Sequence, residues 1–305
     1  MNNNRLQPNL IIVGTMALDD IQTPFGKKEG VLGGSGSYAG LAASFFTKPG
    51  IVSIIGDDFP NQYLAILKSK GLNTDGITKS GKTFHWSGSY EYDMNEAKTR
   101  QTDLNSLATF RPKLPQSYKD AKFLFLANID PDLQISVIGQ MKGKAFILLD
   151  TMNFWITNKK DALVKAIKRV DALVLNDAEA RQLTGMANLI TAGRRLLELG
   201  PQYVIIKKGE HGSLMFSART HFSAPSYPLE DLRDPTGAGD SFAGGMIGYL
   251  SSQNKTDEGT IRKAMIYGSA VASFCAEGFS VERLVSISKK EVKERYGVFE
   301  KIKEF

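Results

Sequence analysis

The sequence contains very little cysteine and histidine. One cysteine and three histidines occur in 305 residues, and His85, His211 and His221 do not have the spacing of metal ligands. A single cysteine excludes an intrachain disulfide framework and every multi-cysteine zinc or iron–sulfur site. We therefore expect a protein of a reducing compartment, in which carboxylate or amide oxygens would have to provide any metal ligands.

Long apolar runs are also missing. No run approaches the ~18 residues that a membrane-spanning helix requires, and the opening MNNNRLQPN lacks the apolar core of a signal peptide. The sequence therefore predicts a soluble cytoplasmic protein with no membrane partner.

No strong excess of charge of one sign is present. There are 38 Lys and Arg against 32 Asp and Glu, a net charge of +6. The densest basic cluster is Lys289, Lys290, Lys293 and Arg295, interleaved with Glu291 and Glu294. This pattern is typical of a solvated helix face and argues against nucleic-acid binding. Anionic small substrates remain compatible with it.

Short apolar runs alternate with helical patterns along most of the chain. Candidate helices such as Pro60–Lys70 and Ala187–Leu199 are each followed by a glycine. The predicted strands are Leu10–Val13, Ile51–Ile55, Phe123–Ala127, Ala145–Leu149, Ala172–Leu175 and Tyr203–Ile206. Such alternation predicts an α/β fold with a parallel sheet covered on both faces.

The segment Thr83–Met94 has a different pattern, with a strict period of two. One face of the predicted strand carries mostly large apolar side chains, including Phe84, Trp86 and Tyr90. A half-exposed strand of this kind fits a small accessory sheet. Its aromatic face requires cover from the main domain, a ligand or a partner subunit.

Two glycine motifs are typical of nucleotide binding, but their contexts do not fit. Gly76–Thr83 matches the P-loop pattern GxxxxGK[ST], yet polar residues precede it and the alternating strand follows. Gly34–Gly40 loosely matches a dinucleotide fingerprint, with Asp57 and Asp58 at the distance of a ribose-binding acid. A Rossmann dehydrogenase that uses NAD(P) therefore remains an alternative function.

The most informative segment is DPTGAGDSFAGG, which starts at Asp234. Gly237 and Gly239 allow close approach of a ligand to the backbone, and a helical pattern runs from Asp240. A helix N-terminus at this turn would form an anion site suited to a transferring phosphoryl group. A carboxylate beside that site is suited to accept a proton from an attacking hydroxyl. We therefore interpret Asp240 as a candidate general base.

A second candidate site is Asn176–Glu179, directly after a predicted strand. Oxygen atoms at this spacing could hold a hydrated Mg²⁺ on nucleotide phosphates. On spacing alone, however, a helix-capping arrangement of Asn176 and Glu179 is the stronger interpretation.

With these motifs the chain resembles the PfkB, or ribokinase-like, carbohydrate kinases over essentially its whole length. DPTGAGD matches the family's C-terminal signature, and Gly33–Ala39 followed by IGDD is similar to the N-terminal one. The resemblance implies a single domain over residues 1–305 with three α/β/α layers. A small β-sheet lid would be formed by about residues 17–32 and 82–107.

The resemblance also implies roles for individual residues. Asp240 would be the catalytic base, and Gly237, Ala238 and Gly239 the anion hole. The expected substrate-binding residues are Asp19, Gly33, Gly34, Tyr38 and Trp86. Those expected along the nucleotide are Asn176, Lys207, Gly209, Thr236, Gly237, Gly239 and Gly268. Asn176 and Glu179 would hold Mg²⁺ through water, and Asp234 lies where relatives bind a monovalent cation such as K⁺.

The implied activity is transfer of the ATP γ-phosphate, with Mg²⁺, to a hydroxymethyl group of a small sugar, with a nucleoside as the alternative acceptor. The lid would close over the acceptor and form a homodimer interface. Three positions depart from many relatives. Tyr38 stands where an Asn is common, and Lys207-Lys208-Gly209 stands where sugar kinases commonly have Thr before Leu-Gly. Asp150–Trp155 follows the Asp-x-Asn pattern of fructokinase-like members only loosely. These differences leave the acceptor open. A non-catalytic ligand-binding protein on the same scaffold is a further alternative.

Overall fold

A computed structural model of the protein describes residues 7–302. Most of the opening segment that we examined for a signal peptide therefore lies outside the described residues. The described strands are β1 Leu10–Val13, β2 Ala17–Thr23, β3 Gly26–Gly33, β4 Gly50–Ile55, β5 Asn73–Lys79, β6 Phe84–Ser89, β7 Lys98–Asp103, β8 Phe123–Leu126, β9 Phe146–Asp150, β10 Ala172–Asn176, β11 Tyr203–Lys207, β12 Ser213–Phe216 and β13 His221–Ala224.

Nine of these strands form one large sheet in the order β13-β12-β11-β10-β9-β8-β1-β4-β5. The seven strands from β11 to β5 run parallel, and β12 and β13 add an antiparallel edge. The six predicted strands all belong to this sheet, with ends that differ by one residue at most.

Helices cover both faces of the large sheet. They are α1 Ser35–Ser44, α2 Asn61–Ser69, α3 Pro131–Ile138, α4 Asn153–Asn158, α5 Lys160–Ile167, α6 Asp177–Thr184, α7 Leu189–Leu197, α8 Ala238–Gln253, α9 Glu258–Ala276, α10 Glu282–Ser286 and α11 Lys289–Ile302. None of the helices within residues 7–302 is long and apolar enough to cross a membrane.

Alternate residues of one central strand divide the core into two. Ala172 and Val174 of β10 pack into a cluster with α1, α8 and α9, whereas Leu173 and Leu175 pack with α5, α6 and α7. This alternation follows from the pleat, which directs successive side chains to opposite faces. The predicted three-layer α/β/α class is confirmed.

The four remaining strands form a separate small sheet in the order β3-β2-β6-β7. Only β2 and β6 run parallel to each other in it. The chain enters this sheet directly after β1 and again after β5, so that it lies beside the carboxyl edge of the large sheet. We refer to this four-stranded sheet as the lid.

The alternating segment Thr83–Met94 does not form one strand as predicted. Strand β6 ends at Ser89, and the chain then turns, with Met94 buried and at a φ of 53°. Tyr92 is 90% exposed, so the predicted aromatic face ends with Tyr90. Alternation alone cannot reveal this turn, because the side-chain pattern continues through it.

Neither glycine motif has the context of a nucleotide-binding loop. The first half of Gly76–Thr83 belongs to β5, which pairs parallel with β4, and its second half leads into lid strand β6. Residues 76–79 therefore lie in a polar edge strand of the large sheet. The Gly34–Gly40 motif follows lid strand β3 and opens α1. The dehydrogenase alternative is therefore wrong in its structural premise.

Candidate active site

Three polar side chains lie at the carboxyl ends of neighbouring strands in the large sheet. Asp150 ends β9, Asn176 ends β10 and Lys207 ends β11. The register pairs Asn176 with Lys207, and Val174 with Asp150. Parallel strands bring such residues to one edge of a sheet, where α/β proteins commonly bind ligands. Helix α8 begins at the same edge. Its first-turn residue Asp240 is close enough to Asp150 and Lys207 for both charges to act on it.

The start of α8 is a glycine turn that only a glycine can form without strain. Gly237 has a φ of 75° and precedes the first helical residue. A Cβ at this position would also overlap the ring of Tyr38. The N–H of Ala238 donates to Pro235 O at 3.0 Å. Gly239 and Asp240 follow in the first turn, where N–H groups have no acceptor within the helix. These N–H groups support the prediction of an anion site at the turn, which stays a prediction.

Asp240 has the properties of a carboxylate suited to proton transfer. Burial raises its pKa to about 7, the negative charge of Asp150 adds to the increase, and Lys207 opposes it. A base with a pKa near the working pH combines a useful ionised fraction with enough basicity. The structure thus places a proton acceptor directly beside the anion-binding turn.

Asp19 and the Gly33-Gly34 pair lie together across the site. The Asp19 carboxylate lies over Gly33, where any Cβ would overlap it, and only 4% of the residue is exposed. Its Oδ1 has no hydrogen-bond partner among the described residues. Burial raises the pKa of Asp19 well above the ordinary value, helped by Asp234 and Asp240. A buried acceptor without a partner is suited to bind a hydroxyl group.

Trp86 is the neighbour of Asp19 in the lid. The parallel register of β2 and β6 pairs the two residues. The indole lies over Gly88, where a Cβ would overlap it, and its Nε1 donates to Thr99 Oγ1 at 3.2 Å. An aromatic ring next to a buried carboxylate offers two modes of ligand contact, stacking and hydrogen bonding.

Asn176 and Glu179 form a reciprocal helix cap. Asn176 Oδ1 accepts from the Glu179 N–H, and Glu179 Oε2 accepts from the Asn176 N–H, both at 2.7 Å. This is the capping box at the start of α6 that the spacing predicts. Burial raises the pKa of Glu179 to about 7, with Lys207 lowering it and Asp150 raising it. Glu179 Oε1 takes no part in the cap. Its role in holding Mg²⁺ stays a prediction.

Asp234 joins two loops beneath the anion-binding turn. It is fully buried, and its two oxygens accept from the N–H groups of Thr236 and Ser280, each at 2.9 Å. Burial raises its pKa, although these bonds oppose the increase. Asp234 therefore fixes the approach to α8, and its proposed contact with a monovalent cation remains untested.

The segment that follows β6 approaches the loops of the site at Tyr90 and at Asn95. Thr236 Oγ1 donates to the Tyr90 hydroxyl at 3.3 Å. Further along the lid, Asn95 Oδ1 lies 2.8 Å from where a Cβ of Gly209 would stand. The segment after β6 therefore covers both the anion-binding turn and the residue expected along the nucleotide.

Two predicted site residues occupy packing positions. Only 1% of Tyr38 is exposed, and its ring packs against the backbone of Gly237. Tyr38 therefore packs as a core residue, and its expected contact with a substrate stays a prediction. Gly268 lies within α9, where a Cβ would stand 2.6 Å from Phe242 O of α8. Helix packing accounts for this glycine, and its contact with a nucleotide stays a prediction.

Sequence reasoning missed Asp150 and Tyr90 as parts of the site. Asp150 directly follows the apolar run FILL, just as Asn176 follows ALVL and Lys207 follows YVII. A polar residue at the end of each of three predicted parallel strands was the signal that could have found it. Tyr90 gave no comparable signal, because its contact depends on the turn after β6.

The turn at Gly237, the adjacent Asp240 and the buried Asp19 carboxylate form an arrangement that is suited to phosphoryl transfer. Comparison with known proteins agrees. The family described as "pfkB family carbohydrate kinase" matches residues 26–285. A cytidine kinase of Thermococcus kodakarensis is 30% identical over 260 residues, which cover 82% of this chain and 91% of the relative.

Solved structures share the fold over nearly the whole chain. A Methanocaldococcus jannaschii nucleoside kinase of the ribokinase family has a TM-score of 0.76 and 20% identity, covering 95% of this chain and 98% of its own. A candidate ribokinase II of Escherichia coli, solved with ATP and Mg²⁺, has a TM-score of 0.76 and 19% identity, covering 95% and 99%.

The chain belongs to the pfkB family of carbohydrate kinases. It has the ribokinase-like fold, and it is a phosphotransferase with an alcohol group of a sugar or nucleoside as the acceptor.

Proposed function

We propose that the protein is a nucleoside kinase that transfers the γ-phosphate of ATP to the 5′-hydroxymethyl group. The observation that carries the proposal is the position of Asp240 in the first turn of α8, across from the Asp19 carboxylate, whose Oδ1 has no hydrogen-bond partner among residues 7–302. The names of the relatives, a cytidine kinase and a nucleoside kinase, favour a nucleoside as the acceptor.

Asp19 and Trp86 provide the contacts that such an acceptor needs. The Asp19 carboxylate would accept hydrogen bonds from ribose hydroxyls, and Trp86, its neighbour in the lid, would stack on the base. These contacts would direct the 5′-hydroxyl toward Asp240. Alignment of the two reactants in a closed site accounts for much of the rate increase of phosphoryl transfer.

Asp240 would take the proton of the attacking hydroxyl. The N–H groups at the start of α8 would bind the charge that develops on the phosphoryl oxygens. The lid, through Tyr90 on Thr236, would exclude water and thereby reduce hydrolysis of ATP.

The residues at the strand ends fit a magnesium nucleotide. Within residues 7–302 no group of three or more His, Cys, Asp or Glu side chains could hold a metal ion by itself. Asn176 and Glu179 could hold Mg²⁺ through water, the phosphates providing the other ligands. Mg²⁺ would neutralise phosphate charge near Glu179 and Asp240. We further propose K⁺ near the loops that Asp234 joins.

The experiment is an ADP-release screen with ATP and Mg²⁺. The panel holds cytidine, uridine, adenosine, inosine, ribose and fructose, and 5′-deoxycytidine serves as the matched control without the acceptor hydroxyl. The proposal requires release with at least one nucleoside and none with its 5′-deoxy form. Activity confined to free sugars would establish the second candidate, a sugar kinase, which the open Asp19 carboxylate also supports.

If the protein binds ATP but releases ADP with no acceptor, the result would favour a non-catalytic ligand-binding protein.

We keep three further proposals beside the main one. These are a cytoplasmic location, where ATP is available; a single domain over residues 1–305 with a lid at about 17–32 and 82–107; and a homodimer formed through the lid. Sedimentation at micromolar concentration tests the dimer.

A further inference from the structure

A buried ion pair joins two of the strand ends in the active site. Lys207 Nζ lies 3.1 Å from Asp150 Oδ2, and the side chains are 16% and 5% exposed. Removing two charges from water is costly, and such a pair often stabilises a fold no better than apolar residues would. Its presence at the reaction site therefore calls for an explanation other than stability.

The ammonium of Lys207 faces the anion-binding turn. A Cβ at Gly239 would stand 3.2 Å from Lys207 Nζ, so the lysine lies directly against the first turn of α8. The carboxylates of Asp150, Glu179 and Asp240 also act on it. Burial alone would lower the pKa of Lys207, but the three carboxylates outweigh burial and raise it. The side chain therefore carries its full positive charge at neutral pH.

The carboxylates around the turn would repel an anionic substrate. A phosphoryl group at the start of α8 would approach Asp240 and Asp150 as well as the helix N–H groups. Lys207 is the cation whose charge acts on Asp240. An ammonium has three donors, and only one is required by Asp150.

We propose that Lys207 is a catalytic residue whose ammonium binds the phosphoryl group during transfer, and that Asp150 is the positioning residue that holds it there. This inference rests on the proposed kinase activity, and it deepens the general expectation that Lys207 lies along the nucleotide.

The proposed step transfers the γ-phosphoryl group directly to the acceptor oxygen. The acceptor oxygen forms a bond to Pγ while the bond from Pγ to the bridging oxygen of ADP breaks. The electron pair of that bond leaves on the β-phosphate oxygen, and the acceptor proton passes to Asp240. Lys207 keeps its proton throughout and stabilises negative charge on the transferring group.

A purely structural role for Lys207 makes a different prediction. In that case the lysine would only neutralise Asp150, and removing both charges would restore activity. The double variant Lys207→Met with Asp150→Asn separates the two accounts, because it removes the ammonium together with the Asp150 charge that the ammonium pairs with.

The experiment compares kcat for Lys207→Met, Asp150→Asn and the double variant, with Lys208→Met as the matched control on the next residue. We expect Lys207→Met to lower kcat by about 10²–10³, as loss of a charge-stabilising donor commonly does. Asp150→Asn should lower it less, the double variant should remain as slow as Lys207→Met, and Lys208→Met should be unchanged. Recovery of kcat in a folded double variant would overturn the proposal.

A binding measurement keeps the test independent of the acceptor. Calorimetry with MgADP, then with MgADP and aluminium fluoride, measures the affinity gained from a mimic of the transferring group. Wild-type protein should bind MgADP more tightly when aluminium fluoride is present. In Lys207→Met this increase in affinity should be at least tenfold smaller, while the affinity for MgADP alone should be nearly unchanged. An equal gain in both proteins would refute the role of Lys207. Failure of wild type to bind any MgADP would instead refute the proposed kinase function.

Discussion

At the scale of single residues, the proposed role of Asp240 as the base links activity to its ionisation. Its pKa is raised to about 7 because burial disfavours the charged form and Asp150 repels it. The carboxylate must be ionised to accept a proton. We therefore expect kcat/KM to rise about tenfold per pH unit below pH 7 and to level off above it.

A pH series of kcat/KM with MgATP tests this expectation. Parallel measurements of MgADP binding show whether the profile reflects nucleotide binding instead. A profile that is flat between pH 5 and 8, with binding constant, would contradict the assignment of Asp240 as a base with a raised pKa.

Gly237 provides a second test at this scale. Its φ of 75° is unfavourable for other residues, and an added Cβ would overlap Tyr38. We expect Gly237→Ala to lower the free energy of unfolding by about 2–4 kcal/mol, from backbone strain and overpacking together. Gly143→Ala is the control, because a Cβ there would meet no atom of residues 7–302 within 4 Å. Equal urea-unfolding midpoints for the two variants would show that the turn is not constrained as described.

The sequence predicts those parts of the site whose geometry depends on neighbouring residues, and it does not predict those that depend on contacts between distant parts of the chain. The helix start at Asp240 and the capping box of Asn176 and Glu179 are local, so their spacing was sufficient to predict them. The pairing of Asp150 with Lys207 joins residues 57 positions apart, and only the strand order brings them together. The burial of Tyr38 could not be predicted, because the motif around it does not show which side chains point into the core.

At the scale of elements, the lid contacts the reaction site through β6 and the turn that follows it. The bond from Thr236 to the Tyr90 hydroxyl is the contact that joins the lid to the start of α8. We expect Tyr90→Phe to raise KM for the acceptor several-fold, since one neutral hydrogen bond contributes about 1 kcal/mol.

Steady-state kinetics of Tyr90→Phe and Tyr92→Phe provide the comparison. Tyr92 is 90% exposed and serves as the control. Indistinguishable KM values for the two variants would mean that the Tyr90 contact does not stabilise the closed lid.

The elements themselves were predicted unevenly. Buried parallel strands such as β1 and β10 have continuous apolar runs, and these gave nearly correct bounds. Strand β5 was missed because its residues, NTDGITK, are largely polar at the edge of the sheet. The antiparallel strands β12 and β13 were not predicted either, and they extend the sheet beyond the part that strand–helix alternation describes.

At the scale of the whole molecule, the site is assembled at a cost to stability. Asp240 has a pKa in the folded chain near 7, above its ordinary value near 4. For an acid with a raised pKa, the stabilising contribution is complete below the unfolded pKa and is lost as the pH rises through the folded one. We therefore expect the ligand-free Asp240→Asn variant to melt at a higher temperature than wild type at pH 8.

Thermal unfolding of both proteins between pH 5 and 8.5 checks this prediction. The difference in Tm should shrink as the pH falls, because Asp240 is then protonated in the wild-type fold. A constant or reversed difference would show that burial does not destabilise this carboxylate.

The most direct test of the whole account is the phosphorylated product itself. Wild type and Asp240→Asn are incubated with ATP carrying an isotopic label in the γ-phosphate, Mg²⁺ and the best acceptor of the screen, and the product is examined by mass spectrometry. We predict a labelled 5′-phosphate from wild type, formed about 10²–10⁴ times more slowly by the folded variant, with ATP binding retained. Equal rates from the two proteins, or no labelled product from wild type with any acceptor, would contradict the account.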